Sequence, residues 1–150
     1  FIMNVQGDEP DISIIDIKNL DSKMKKNNSK IGTLAAKISK KETYQDVNMV
    51  KVKIKESFDK NSFPHAQNFK RSIKEKNNVF HHIGIYSYDI NTLKKFVSFN
   101  QSKNELKNNL EQLRALDNNI NINVALASKS PIGIDTKEDY LAIKKIMKYK

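Results

Sequence analysis

Phe80-His81-His82-Ile83-Gly84-Ile85-Tyr86-Ser87-Tyr88 is the stretch that decides the fold. Its aromatic and β-branched side chains suit a strand packed against neighbours. Asp89 follows at once and can cap a helix running through Val97. Outward from this strand, Ile31 to Ile38 (IGTLAAKI), the alternating Val50 to Ile54 (VKVKI) and Ile122 to Ala127 (INVALA) read as further strands. Phe1 to Val5 (FIMNV) reads as a short buried strand, broken by Gly7-Asp8-Glu9-Pro10. Pro10 suits the first turn of a helix along which Ile14, Ile17, Leu20 and Met24 recur. The polar stretch from Lys55 to Asn78, broken by Pro64, has room for a short strand around Phe69. Leu106, Leu110, Leu113 and Leu116 mark one stripe of a second helix. Thr136 with Asp139 forms a capping-box pattern opening a last helix, with Tyr140, Ile143 and Met147 facing inward. Strands alternating with helices predict an α/β layered sheet, and without repeats or a low-complexity linker residues 1–150 are expected to form a single domain.

Composition narrows the function classes. Hydrophobic residues at 38% and charged ones at 29% belong to a globular chain, and no apolar run approaches the roughly 20 residues of a membrane-spanning helix. The absence of cysteine excludes disulfides, thiolate metal sites and cysteine nucleophiles within this sequence. A net charge of +10 invites a nucleic-acid reading. However, only Arg71 and Arg114 among the 27 basic residues are arginines, and the lysines are spread over every segment. Nucleic-acid surfaces favour arginine forks with interleaved aromatics, so no nucleic-acid partner is expected. Asparagine is scattered as freely, in the pairs 27–28, 77–78, 108–109 and 118–119, and reads as composition on solvated faces.

The phosphate-loop, dinucleotide, nucleophile-elbow and HExxH signatures are absent. His81 and His82 are adjacent on a strand, so they point to opposite faces and at most one is expected to serve a site. Two carboxylates carry more. Asp8 sits just past the end of the first strand, and Asp135 follows Gly133 just before the last helix. Ligands of α/β sheets collect at the carboxyl ends of strands, where two such groups could hold Mg²⁺ together with substrate phosphates. Taken singly, Asp8 also suits a strand end and Asp135 a helix cap. Three of the four glycines lie in these same segments, at 7, 84 and 133.

Together these segments resemble one family. Asn4-Val5-Gln6-Gly7-Asp8-Glu9-Pro10 is similar to the NVQGDEP segment of CMP-Kdo synthetases (3-deoxy-manno-octulosonate cytidylyltransferases). His82-Ile83-Gly84-Ile85-Tyr86 resembles their H-[IL]-G-I-Y strand, and Leu110-Glu111-Gln112-Leu113-Arg114 their LEQLR helix. Gly133-Ile134-Asp135-Thr136 with Glu138-Asp139 resembles their G-V-D-T-P-E-D close. Thr33-Leu34-Ala35 and Asn48 with Val50-Lys51-Val52 add to the match, which keeps the family's order across nearly the whole chain.

The resemblance implies a Rossmann-like nucleotidyltransferase sheet with flanking helices. It implies that Asp8 and Asp135 are the catalytic Mg²⁺ ligands, and that Gln6, His82, Tyr86, Glu111 and Gln112 line or support the sugar pocket. Asn68-Phe69-Lys70-Arg71-Ser72 is similar to the family's Y-F-S-R-A-P run but lacks its proline, and makes Arg71 the candidate for the sugar carboxylate. The family's N-terminal nucleotide-binding part would precede Phe1, so the chain is expected to be the C-terminal part of a cytidylyltransferase domain, inactive alone. The implied reaction transfers CMP from CTP to the anomeric hydroxyl of Kdo, releasing pyrophosphate, for lipopolysaccharide biosynthesis. A cytoplasmic homodimer without membrane or nucleic-acid partner is the expected setting. Two other readings stay open: a cytidylyltransferase for sialic acid or amino-Kdo, and a non-catalytic sugar-binding module.

Overall fold

The computed structural model describes residues 1–7, 9–39, 44–59, 61–134 and 136–146. Six strands form one sheet: β1 (Ile2–Asn4), β2 (Ile31–Ala36), β3 (Lys51–Ile54), β4 (Ala66–Lys70), β5 (Val79–Tyr88) and β6 (Ile122–Leu126). Five helices accompany them: α1 (Ile14–Asn27), α2 (Ile90–Ser98), α3 (Lys103–Asn108), α4 (Leu113–Asp117) and α5 (Lys137–Ile146). The strand order is β4-β3-β5-β2-β6, with β1 pairing to β5 beside this path. Only β2 and β6 are parallel; every other pairing is antiparallel. The sheet is therefore the α/β arrangement expected, but β2 to β5 follow one another without an intervening helix among the described residues.

Side-chain alternation divides the core between the two faces. Leu34, Ala36, Ile83, Ile85, Ala125 and Ala127 meet Leu20 and Met24 of α1. Ile31, Ala35, Val52, Phe69, Tyr86, Ile122 and Val124 face the other way, onto Phe96 of α2, Leu110, and Leu113 and Ala115 of α4. With both faces covered, every residue of β2 is buried, which is why IGTLAA reads as a continuous run rather than an alternation.

Several local expectations are corrected. The N-terminal run forms β1 but is not buried, because it pairs with β5 alone and leaves Phe1, Ile2 and Val5 exposed. Pro10 lies before α1, which starts behind Ser13; the Ser13 hydroxyl accepts from Ile15 N at 3.2 Å. Ile14 is exposed, and Asp16 takes the buried position of that turn by accepting from Ser128 N and its hydroxyl at 3.0 and 2.8 Å. The leucine stripe is two short helices with a corner between them, so Leu106 is exposed while Leu110 and Leu113 are buried. The capping box at α5 forms: Thr136 N donates to Asp139 Oδ2 at 2.9 Å, and Asp139 N donates to Thr136 Oγ1 at 3.2 Å. Ile143 faces inward, Tyr140 is half-exposed, and Met147 lies outside the described residues.

The asparagine pairs are more than composition. Asn28, Asn78, Asn109 and Asn119, the second member of each pair, all take positive φ, between 46° and 58°. Asparagine tolerates this left-handed region better than other residues with a Cβ, and here it stops α1 and α3 at their C-caps. The glycines do something else, because none of those described has positive φ. Gly32 lies under α1, where an added Cβ would clash with Met24 Sδ and sit 3.0 Å from Leu20 Cδ1 and 3.1 Å from Phe63 Cζ. Gly32→Ala should therefore push α1 off the sheet and cost about 1–3 kcal/mol of stability, read as a lower urea midpoint. An unchanged midpoint would mean that α1 is free to shift.

Candidate functional site

The site is built on an irregularity in β5. Thr33 pairs with Tyr86 but Leu34 pairs with Ile83, so Gly84 and Ile85 are extra residues on β5 with no register partner on β2. Such bulges leave backbone groups out of the ladder and re-aim neighbouring side chains. Here side chains make good the loss. Gly84 N donates to Glu9 Oε1 at 3.1 Å. The Thr33 hydroxyl lies 2.8 Å from Ile85 O, 3.2 Å from Ile83 O and 3.0 Å from His82 Nε2. A hydroxyl has one proton to donate. With that proton directed at the carbonyls, Thr33 accepts from His82 Nε2–H, which makes His82 Nδ1 the acceptor of the ring.

Burial, and then the charge of His81, push His82 down to about 3, so the ring is neutral near pH 7. Tyr86 is held well above the usual phenol range by burial first, then by Tyr88 and Glu111. Thr33 is a polar neighbour of that phenol, but no bond of ordinary geometry joins them, and the Tyr86 hydroxyl has no hydrogen-bond partner among the described residues. Phe69, His82, Tyr86 and Tyr88 form a continuous aromatic row, with successive centroids 5.1, 5.5 and 5.8 Å apart.

Above this row opens a cavity of about 820 Å³. His82 and Tyr86 are buried at its floor, and Gln6, Arg71 and Glu111 are exposed at its rim, with Gln112 half-buried. The structure thus brings together all six residues named from the sequence for sugar contact. Among the described lining residues, Arg71 supplies the only guanidinium or ammonium. Its Nη1 donates to Val47 O at 3.1 Å and its Nη2 to Asn109 O at 3.4 Å, bridging two walls.

The wall carrying Glu111 and Gln112 is the corner between α3 and α4. Glu105 there completes a capping box with Ser102 and receives Arg114 as a fork, Nε to Oε2 at 2.8 Å and Nη2 to Oε1 at 2.5 Å. Both side chains are largely buried, and the guanidinium also lies 5.0 Å from the centre of the Phe96 ring. Arg114 holds the Glu105 carboxyl well below the usual range.

Asp8 and Asp135, the residues named as metal ligands, lie outside the described residues. Their chain neighbours Gln6, Glu9, Gly133, Ile134 and Thr136 line the cavity. Among the described residues no group of three histidines or carboxylates could hold a metal ion. Both histidines border the cavity, although they are neighbours on one strand. His82 is at the floor, and His81 Nδ1 lies 2.5 Å from Ser130 Oγ, where the chain enters segment 131–134. Sequence reasoning gave no role to Thr33 or Glu9. A hydroxyl inside the otherwise apolar IGTLAA run was the available signal for Thr33.

Residues 1–122 match the family model described as cytidylyltransferase. A 3-deoxy-manno-octulosonate cytidylyltransferase of Thermodesulfovibrio yellowstonii is 40% identical over 148 residues, covering 92% of this chain and 56% of that protein. One of Bartonella quintana is 38% identical over 148 residues, covering 97% of this chain and 60% of that protein. The chain thus spans little more than half the length of these relatives. Among solved structures, CMP:2-keto-3-deoxy-manno-octonic acid synthetase complexed with CTP superposes with a TM-score of 0.83 at 29% identity, over 97% of this chain and 60% of that one. The UTP-bound UGPase of Acinetobacter baumannii superposes with a TM-score of 0.61 at 9% identity, over 85% of this chain and 42% of that one, a likeness of fold alone.

The two histidines give the protein a distinctive acid response. His81 is lowered to about 4, by burial and then Lys51, and His82 to about 3, against about 6.5 in an unfolded chain. Between those values the unfolded state binds more protons. Stability is therefore full above about pH 6.5 and falls as pH drops toward 4, by up to about 1.4 kcal/mol per pH unit for each histidine. Urea midpoints measured from pH 7.5 to 4.5 should show this slope, reduced in His82→Asn. A loss beginning only in the carboxylate range would contradict the neutral, buried rings.

Proposed function

We propose that this chain, which belongs to the cytidylyltransferase family, forms the sugar-binding side of a site that transfers CMP from CTP to Kdo. The observation that carries this reading is the convergence of Gln6, Arg71, His82, Tyr86, Glu111 and Gln112 on one cavity over the buried Tyr86 hydroxyl. The cavity has the volume of a small-molecule site, and polar side chains make up most of its lining, which suits a hydroxyl-rich acidic sugar. Support also comes from the likeness to relatives named as 3-deoxy-manno-octulosonate cytidylyltransferases.

In this reading Arg71 takes the Kdo carboxylate. Two of its five N–H groups hold the backbone carbonyls of Val47 and Asn109, leaving three for a carboxylate. The Tyr86 hydroxyl donates to a sugar hydroxyl, and His82 Nδ1 accepts from one. Gln6, Glu111 and Gln112 orient the remaining hydroxyls from the rim. A neutral floor suits this work, since a buried charge without a partner would cost far more than it returned. The anomeric hydroxyl oxygen of Kdo forms a bond to the α-phosphorus of CTP. The bond from that phosphorus to the bridging oxygen of pyrophosphate breaks, and the hydroxyl proton passes to solvent. Fixing the nucleophile in line with its target is the principal contribution of the residues described here.

Asp8 and Asp135 are our candidates for holding Mg²⁺, since hard carboxylate oxygens from one or two residues suit that ion beside substrate phosphates. Bound there, Mg²⁺ would neutralise phosphate charge and polarise the phosphoryl oxygens. The same reading makes residues 1–150 one partial cytidylyltransferase domain, working as a cytoplasmic homodimer in lipopolysaccharide biosynthesis.

Calorimetric titration with Kdo tests the proposal on the wild-type chain and on Tyr86→Phe. The substitution removes a hydroxyl that has no partner among the described residues, so thermal stability should hold or rise slightly. Affinity for Kdo should fall about tenfold, the worth of one hydrogen bond. Tighter binding of sialic acid would move the reading to another acidic sugar, and binding of neither would overturn it.

A further inference from the structure

Lys51 is a lysine in the core. It opens β3 and is only 1% exposed, in contrast to Lys53 on the same face of the strand, which reaches the surface and pairs with Glu75 at 2.6 Å. An ammonium has three protons, and at Lys51 three backbone carbonyls take them. These are Asp46 O, Met49 O at 2.6 Å and Arg71 O at 2.6 Å. Asp46 and Met49 belong to the loop before β3, whereas Arg71 leaves the end of β4. Among the described residues no carboxylate accepts from the ammonium; Asp46 acts on it only as a neighbouring charge. Burying a cation against backbone alone is costly unless every proton is used, and here every proton joins the loop to Arg71.

That junction is a wall of the cavity, lined by Asp46, Asn48, Met49, Val50 and Arg71. Arg71 returns the contact, since its Nη1 donates to Val47 O in the same loop. We propose that Lys51 is a positioning residue for this wall. Its ammonium gathers the 46–50 loop and the Arg71 backbone into one piece and so sets where the Arg71 guanidinium stands. Lys51 is not a lining residue and touches no ligand. The proposal rests on the reading of Arg71 as the group that takes the sugar carboxylate.

Its test separates the two ideas. Amide NMR spectra of the ligand-free wild type and Lys51→Met are compared first. Resonances of residues 46–50 and Arg71 should shift or broaden, while those of α1 and β2 stay in place. Both proteins are then titrated with Kdo and with its carboxamide, which lacks the charge offered to Arg71. Kdo affinity should fall at least tenfold in Lys51→Met and carboxamide affinity less than threefold. A general loss of structure would weaken both ligands alike and would overturn the positioning role. Unmoved resonances in the loop and at Arg71 would overturn it as well. If Lys51→Met does not fold, Lys51→Gln, which keeps two donors, should show the same pattern at smaller size. Failure of the wild type to bind either ligand would count against the functional reading, and the spectra alone would still decide for or against the brace.

Discussion

A two-residue break in the ladder between β2 and β5 is closed by one hydroxyl and one carboxylate, and the cavity is assembled around that closure. Thr33 is fully buried and meets two carbonyls and a ring nitrogen through a single oxygen. That oxygen keeps the ladder satisfied where Gly84 and Ile85 bulge, and it settles the tautomer of His82. Glu9 makes the complementary bond to Gly84 N, tying the segment after β1 to the middle of β5. Without these bonds the bulge would leave buried backbone groups unpaired, at about 1–3 kcal/mol each.

Charge is then distributed by depth. The floor carries neutral aromatic side chains, whose titration is pushed out of the physiological range by burial. Among the buried charged groups, Lys51 and the Glu105–Arg114 pair are held by protein partners and act as struts behind the walls. Exposed charge stands at the rim, at Arg71 and Glu111. This arrangement limits desolvation cost while leaving the remaining N–H groups of Arg71 to meet an anionic ligand. The net charge of +10, mostly lysine spread along the chain, contributes a long-range field that favours anionic ligands.

Strand positions were legible because they rest on short-range signals, whereas the six convergent residues were named through the resemblance to a family's ordered motifs. FHHIGIYSY and INVALA have β-forming composition, and Asp89 and Thr136 carry cap chemistry that works locally. What escaped depends on distant partners. Ile14 yields the buried position of its turn to Asp16 because Ser128 offers Asp16 two donors from across the fold. The stripe from Leu106 to Leu116 has helical spacing, yet Asn109 in the left-handed region turns it into a corner. Lys51 sits in the alternation of VKVKI as though solvent-facing, and only the loop folded over it explains its burial. The bulge at Gly84–Ile85 has no local mark other than the glycine itself.

The central claim is that this cavity holds the acceptor sugar for attack on CTP. Pyrophosphate release from CTP, followed with and without Kdo and Mg²⁺ in a protein carrying this chain at the full length of its relatives, tests that claim most directly. Release that requires both additions and disappears in Asp135→Ala, with folding intact, is the predicted result. Release that is indifferent to Kdo, or none from the well-folded protein, would contradict it.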